Sequence, residues 1–234
     1  MKQYAYLVVA LLVACSDYGG GSKPATSSSS GAPAKSTAPA TSTTTTTTTT
    51  KPAAAPAKRD KLENSPLVWK PTTNVSSLGS VDLTGLSNTK LQIAKVADGR
   101  QNPTLLGENK EKGVPRVITT ADDVPMFVTD HMKQLMSSAG INTVDSGGTH
   151  VLKTELKQFY VEESDTYKGD VRMTVTLTNA AGKAVWTGTT GGSAQRFGRS
   201  YKAENYYETL SDSLIEATYN LLRNPSFHDA LAKP

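Results

Sequence analysis

The feature that most limits the fold of this chain is a stretch with almost nothing to bury, residues 26–50. It consists nearly entirely of Ser, Thr, Ala, Pro and Gly and ends in eight consecutive threonines at residues 43–50. Without large apolar side chains, burial cannot offset the entropy lost when the backbone is ordered. We therefore predict a disordered linker over residues 15–60 and a single core within residues 61–234, a length sufficient for one domain.

The net charge of +4 is unevenly distributed along the chain. Residues 1–60 carry six Lys and Arg against two Asp, whereas residues 61–234 carry 19 basic and 19 acidic side chains. The expected domain therefore has no net field to attract phosphates, and no basic stripe with interleaved aromatic residues is present. We expect no nucleic-acid binding.

Residues 1–14 have the layout of a bacterial secretory signal. Lys2 supplies the positive start, residues 4–13 form an apolar run, and the small Ala14 precedes Cys15. The run is far shorter than the ~20 apolar residues that a membrane-spanning helix needs. We predict a signal peptide over residues 1–14.

Residues 12–15, Leu-Val-Ala-Cys, resemble the lipobox of bacterial lipoproteins. The resemblance implies that the Cys15 thiol receives a diacylglycerol and that cleavage makes Cys15 the new N-terminus. It also implies three acyl chains, a far firmer hold than one chain gives. Ser16 follows the cysteine where inner-membrane retention would call for Asp, which favours an outer-membrane protein facing the periplasm.

Other roles for Cys15 are weaker. It is the only cysteine, so a disulfide within the chain is excluded, and the expected linker cannot hold catalytic partners in place around it. A chance cysteine in an ordinary signal peptide, or in a short buried helix, is the alternative to lipid attachment.

Hydrophobic periodicity predicts an α+β domain over residues 89–234, after a poorly patterned lead-in at residues 61–88. We expect an antiparallel-rich sheet with two helices packed on one face, in the order β-α-β-β-β-α. A polar loop through Gly107 and Gly113 should lead to a short apolar piece at residues 114–119. The predicted strands are residues 90–97, 151–161, 171–177 and 183–190; the predicted helices run from an N-cap at Asp122 to Gly140 and over residues 203–223, with a last turn at 226–232.

The order and spacing of several motifs over residues 89–232 resemble those of the YajG-like group of poorly characterised bacterial lipoproteins. The resemblance implies an envelope lipoprotein and brings no catalytic residues. The long linker departs from the short one of that group, so the resemblance does not imply a shared partner. The motifs are the lipobox, Asp98-x-Arg100, Gly107, the segment from Leu135 to Gly140, the strand at residues 171–177, Gly182, and Pro225-x-Phe227-x-x-Ala230-Leu231.

The histidines and one Asp–Arg pair are the first candidates for a site. His131, His150 and His228 are scattered and match no metal-binding spacing. We interpret His131 as lying at the boundary of a helix core. Asp98 and Arg100 could act together at a strand end, but a turn-stabilising ion pair is the preferred interpretation.

Two further stretches could bind ions. A glycine-rich stretch, residues 188–199, contains Arg196 and Arg199 and could cradle an anion, although a flexible strand-to-helix loop is preferred. A group of acidic residues lacks the spacing of a calcium loop, so a solvated turn is preferred. That group comprises Glu162, Glu163, Asp165 and Asp170.

These observations predict a non-catalytic, lipid-anchored envelope lipoprotein that uses no cofactor or metal. Its domain should bind a protein partner by a sheet edge or a helix face, or support envelope assembly. The alternative is a periplasm-facing domain that binds a lipid or glycan, which an apolar groove between helix and sheet would favour. A hydrolase in which Asp98, Arg100 and a histidine converge is the third hypothesis.

Overall fold

The computed structural model describes residues 62–233. The predicted signal peptide, Cys15 and the predicted linker lie outside these residues. Within the described range, eight strands form one mixed sheet with three α-helices. The strands are β1 Leu91–Ile93, β2 Ala97–Asp98, β3 Leu105–Asn109, β4 Arg116–Thr119, β5 Thr143–Val144, β6 His150–Glu163, β7 Thr166–Asn179 and β8 Ala184–Phe197; the helices are α1 Val124–Ser138, α2 Ala203–Leu222 and α3 Pro225–Leu231.

The centre of the sheet is an antiparallel meander of the three long strands β6, β7 and β8, each 14 residues long. All three were predicted as strands, β7 from alternating apolar residues, but each extends beyond its predicted bounds. Leu156 pairs with Met173, and Val175 pairs with Gly188. A register shift between Leu156 and Gln158 lets the long β6 change which side chains face the core.

The other side of β6 carries short strands, and here the predicted order was incomplete. Strands β1, β2 and β3 all run parallel to β6, so the sheet is mixed. The prediction of a polar loop through Gly107 was wrong, because this segment forms strand β3. A Cβ at Gly107 would overlap the carbonyl oxygen of Val161 on β6, so this close pairing requires glycine. The predicted strand at residues 90–97 divides into β1 and β2.

One face of the sheet is covered by helices. On this face of β6 and β7 the apolar side chains are at most 1% exposed, and they pack with the apolar stripe of α2. Helix α1 contacts α2 and the short strands β2 and β5. Side chains therefore fill the interface between helices and sheet; they include Leu152, Leu156, Val171, Met173, Val175, Leu210, Leu214, Ala217 and Leu221.

Helix α1 begins one residue later than predicted. Its N-cap is Asp123, whose side chain accepts a hydrogen bond from the Met126 N–H at 3.0 Å. Pro125 then lies within the first turn, where its missing N–H costs nothing. Asp122, the predicted cap, instead accepts the N–H of Leu67 at 2.7 Å. The predicted end at Gly140 is confirmed, since this residue adopts a φ of 95° just after the C-cap.

Residues 62–81 form a segment, here called the strap, that lies across α1 and α2. The N–H groups of Thr72 and Thr73 both donate to Oδ1 of Asp212 on α2, each at 2.8 Å. The Trp69 ring stacks on His131 of α1 with 4.0 Å between ring centroids. A second apolar cluster lies beneath the strap and contains Leu135, Ile215 and Tyr219, with Trp69, Val75, Leu78 and Val81 packed on it.

Candidate interaction surfaces

Asp98 and Arg100 form the predicted turn-stabilising pair. The guanidinium donates from Nε and Nη2 to the two carboxylate oxygens of Asp98, at 2.9 and 2.8 Å. It also donates to the Pro103 carbonyl, and its side chain is only 5% exposed. These hydrogen bonds lower the pKa of the Asp98 carboxyl. The pair orders the loop before β3 and directs no free group outward.

The acidic residues do not form the predicted solvated turn, because Glu163 is fully buried. Its carboxylate accepts the Tyr206 hydroxyl at 2.5 Å and the Tyr201 N–H at 2.9 Å. Burial, and then the neighbouring Glu163, raise the pKa of the Tyr206 hydroxyl. The remaining acidic side chains each pair with a different cation: Glu162 with Lys110, Asp165 with Arg199 and Asp170 with Arg172.

The three histidines have separate surroundings. His131 packs against Trp69, in keeping with its predicted boundary position, and burial lowers its pKa. His150 begins β6 and contacts Thr149, and burial lowers its pKa as well. His228 lies on α3 beside Asp229 at 3.8 Å. Within residues 62–233, no three His, Cys, Asp or Glu side chains are grouped as a metal site requires.

The glycine-rich stretch was predicted to be a flexible loop, but it is the second half of strand β8 and ends just beyond it. A Cβ at Gly192 would overlap the backbone nitrogen of Ala217, so the glycine lets α2 lie directly against the strand. Arg196 donates to Glu208 at 2.9 Å and lies 3.7 Å from Asp212. Because these carboxylates already compensate Arg196, the stretch does not form the anion cradle considered from sequence.

Strand β8 is an edge of the sheet, since among the described strands it pairs with β7 alone. Residues 184–195 contain no charged residue and no proline. On its outer side, the Gly191 carbonyl accepts Asn220 of α2 at 2.9 Å, and the Ser193 N–H donates to Glu216 at 2.7 Å. Because backbone groups alternate in direction along a strand, those of Thr187 and Thr189 also point away from β7.

The end of the sheet where β8 finishes forms a second surface, which we call the tip. It comprises the β3–β4 turn at residues 110–115, the β6–β7 turn at 164–165, and residues 197–199. Phe197 is 95% exposed and Val114 is 77% exposed. A concavity of about 320 Å³ joins the three segments and is lined by Lys110, Glu111, Lys112, Ser164, Asp165 and Arg199.

The open face of the sheet, opposite the helices, is polar. A concavity of about 570 Å³ extends from this face around the edge at β8, towards Glu216 and Asn220 of α2. Its lining includes Lys157, Arg172 and Thr189. Among the helices of residues 62–233, none combines the length and the apolar character needed to cross a bilayer.

Two sequence comparisons found no match for this chain. No protein-family model matches it, and no curated protein matches it either.

Several solved structures share parts of the fold at low identity. A Xanthomonas campestris protein of the family DUF330 is 11% identical, with a TM-score of 0.43 over 62% of this chain and 85% of that one. PelC from Paraburkholderia phytofirmans, solved as a dodecamer, is 13% identical, with a TM-score of 0.36 over 58% and 86%. A lipoprotein candidate from Caulobacter crescentus is 13% identical, with a TM-score of 0.35 over 47% and 84%. Similarities of this size carry no argument about function.

Proposed function

We propose that this chain is a non-catalytic, lipid-anchored protein of the cell envelope whose domain binds a protein partner by accepting a strand at the edge of β8. The anchor rests on the lipobox around Cys15, and outer-membrane placement facing the periplasm rests on Ser16. The single observation that carries partner binding is the long, uncharged edge of β8.

Sheet edges in natural proteins are ordinarily protected against pairing with other chains. Short strands, lysines, prolines and bulges serve this purpose. Strand β8 is 14 residues long and has no charge or proline over residues 184–195, and its register shift against β7 lies near its beginning, at Val185. An extended partner strand can satisfy the outward backbone groups of such an edge, and its side chains can select the partner.

The contacts of α2 limit where a partner strand can add. Asn220 and Glu216 already bond the outward groups of Gly191 and Ser193. The outward groups of Thr187 and Thr189 carry no such contact from α2. Val185, 39% exposed, lies beside them and offers an apolar contact. We therefore assign the partner strand to residues 186–189, which follow the register shift at Val185.

The alternative function, binding of a lipid or glycan between helix and sheet, has less support. The side chains at that interface, such as Met173 and Leu214, are at most 2% exposed. An interface filled in this way offers no apolar groove, the feature that the alternative needs.

Partner binding can be tested by photo-crosslinking in intact envelopes, with benzoylphenylalanine placed at Val185. We expect a discrete protein adduct, and we expect Thr189→Lys to abolish it because a lysine at an edge opposes strand addition. The matched control is Thr174→Lys, which places the same side chain directly opposite on β7. An adduct that persists in Thr189→Lys, or that disappears equally in both variants, would contradict edge binding.

The lipid anchor is tested separately by incorporation of labelled palmitate. We expect Cys15→Ala to abolish incorporation, because Cys15 supplies the only thiol. Labelling that survives this substitution would show that lipid attachment at Cys15 is wrong.

A further inference from the structure

We propose that the tip docks on a zwitterionic phospholipid surface, with Phe197 and Val114 inserted among the lipids and a headgroup held in the concavity between the tip segments. Docking by a protein that is already attached to the membrane rests on the proposed lipid attachment at Cys15. The docking surface itself is defined by described residues alone.

Two apolar side chains mark the tip. Single exposed apolar residues are ordinary on protein surfaces. Phe197 is unusual, because an aromatic side chain is 95% exposed at the end of a regular strand. Val114, 77% exposed, lies two residues from Lys112, and Phe197 lies two residues from Arg199; both of these charged residues line the same concavity. The two apolar side chains thus belong to segments that meet at one end of the sheet.

The charges in the concavity fit a headgroup that carries both signs. Lys112 can approach a phosphate, and Glu111 can approach an ammonium group. Asp165 and Arg199 pair with each other, and the headgroup replaces each partner of this exposed ion pair. Asp165 and Arg199 face solvent, with side chains 83% and 63% exposed. A phospholipid with phosphate and ammonium matches this mixture better than a surface of one charge, and residues 61–234 have no net charge that would select anionic lipid.

The beginning of the described range contacts the segments that follow the tip. The Leu62 N–H, where the described residues begin, donates to the Tyr201 hydroxyl at 3.3 Å. Tyr201 lies four residues after Phe197, and its hydroxyl donates to the Val117 carbonyl of β4 at 3.5 Å. The Leu62 carbonyl also accepts the Thr119 N–H of β4 at 3.1 Å. The proposed lipid attachment at Cys15 makes membrane contact an intramolecular event, so a surface with only a modest affinity for lipid can dock.

The single cysteine allows a site-specific test on the full, lipidated chain. With Cys15 acylated, Phe197→Cys introduces the one reactive thiol, which is labelled with an environment-sensitive fluorophore. Val185→Cys, at the opposite end of β8, is the matched control. Both proteins are reconstituted in phosphatidylcholine vesicles that contain nitroxide lipid. We expect nitroxide quenching to be several-fold stronger at position 197 than at position 185.

A second variant tests whether quenching reports insertion of the tip or only the affinity of the fluorophore for lipid. Val114→Ser in the Phe197→Cys background should weaken quenching at position 197, because it removes the second inserted side chain. Equal quenching at positions 197 and 185, or no effect of Val114→Ser, would overturn the proposal. Quenching that appears only after anionic lipid is added would overturn the assignment to zwitterionic lipid.

The same experiment distinguishes failure of the anchor from failure of the docking. Wild-type protein that takes up the fluorophore would show that Cys15 is not acylated and that the proposed anchor is wrong. In that case the quenching at positions 197 and 185 is compared in Cys15→Ser chains. Stronger quenching at position 197 would still support docking of the tip, and equal quenching would still overturn it.

Discussion

At the scale of single residues, Glu163 shows how a charged group is kept in the core. It belongs to the acidic stretch that sequence alone places in a solvated turn, yet it is fully buried. A buried carboxylate is costly unless hydrogen bonds replace its hydration. The Tyr206 hydroxyl and the Tyr201 N–H supply those bonds. Tyr201 adopts a φ of 45°, a left-handed conformation that orients its N–H towards Glu163.

Removing one donor from this carboxylate should destabilise the domain. We expect Tyr206→Phe to lower the free energy of unfolding by about 1–3 kcal/mol, because Glu163 keeps its burial and loses a partner. Urea unfolding monitored by circular dichroism measures the change. Tyr219→Phe, also buried on α2, is the control, since no hydrogen bond to its hydroxyl is found in the described structure. A loss of equal size in both variants would contradict this account.

The start of α1 gives a second test at residue scale. Asp123→Ala should lower the free energy of unfolding by about 1 kcal/mol through loss of the N-cap, whereas Asp123→Asn should retain most of it. Asp123 also pairs with Lys95, an exposed ion pair at 2.7 Å that adds little. If Asp123→Asn costs as much as Asp123→Ala, the ion pair rather than the cap stabilises the helix start. Denaturant midpoints at constant m-value report the difference.

At the scale of elements, two adjacent glycines of β8, Gly191 and Gly192, differ in how they contribute to the contact with α2. Both belong to the stretch that was predicted to be a flexible loop, and glycine is ordinarily unfavourable in strands. Here Gly192 has a packing role, since α2 backbone atoms occupy the space of its missing side chain. Gly191 faces the other side of the sheet and has more room.

We expect Gly192→Ala to destabilise the domain by about 1–3 kcal/mol, as overpacking of a tight contact generally does. Gly191→Ala should be much milder, because its Cβ would lie 3.2 Å from the nearest atom, the Val171 carbonyl oxygen. Thermal unfolding of the two variants measures the contrast. Equal melting temperatures would show that α2 can move away from β8 at little cost.

At the scale of the whole molecule, the strap joins the beginning of the domain to elements far along the chain. Asp212 accepts N–H groups from residues about 140 positions earlier, and Trp69 stacks on His131. The strap therefore covers the outer face of the helix pair. It also buries part of the His131 ring, which couples the stability of the domain to pH.

The sign of that coupling follows from the lowered pKa values of His131 and His150. As pH falls through about 6.5, the ordinary pKa of histidine, the unfolded chain takes up protons before the folded one does. The free energy of unfolding should therefore be smaller at about pH 5.5 than at about pH 8, a range that lies above the ordinary pKa values of Asp and Glu. Urea titrations at both values test this.

A double variant checks the origin of the pH dependence. His131→Gln with His150→Gln should reduce the difference in unfolding free energy between the two pH values, whatever the variant costs in absolute stability. An unchanged difference would assign the pH dependence to other groups.

The sequence by itself determined the features that local pattern encodes. The apolar alternation of β7 and the helical stripes of α1 and α2 indicate which side of each of these elements is buried. The composition of residues 26–50 predicts where the core cannot be. The Asp98–Arg100 pair was also predictable, because its two members are close in the chain.

Only the tertiary structure decided how the shorter pieces combine. Strands β1, β2 and β3 have two to five residues each, too few to show a period, and they pair with β6 across long loops. The burial of Glu163, the edge position of β8 and the exposure of Phe197 likewise depend on distant partners. A local pattern records which face of a segment is apolar, whereas the neighbour of that face is set by packing and chain closure across the whole fold.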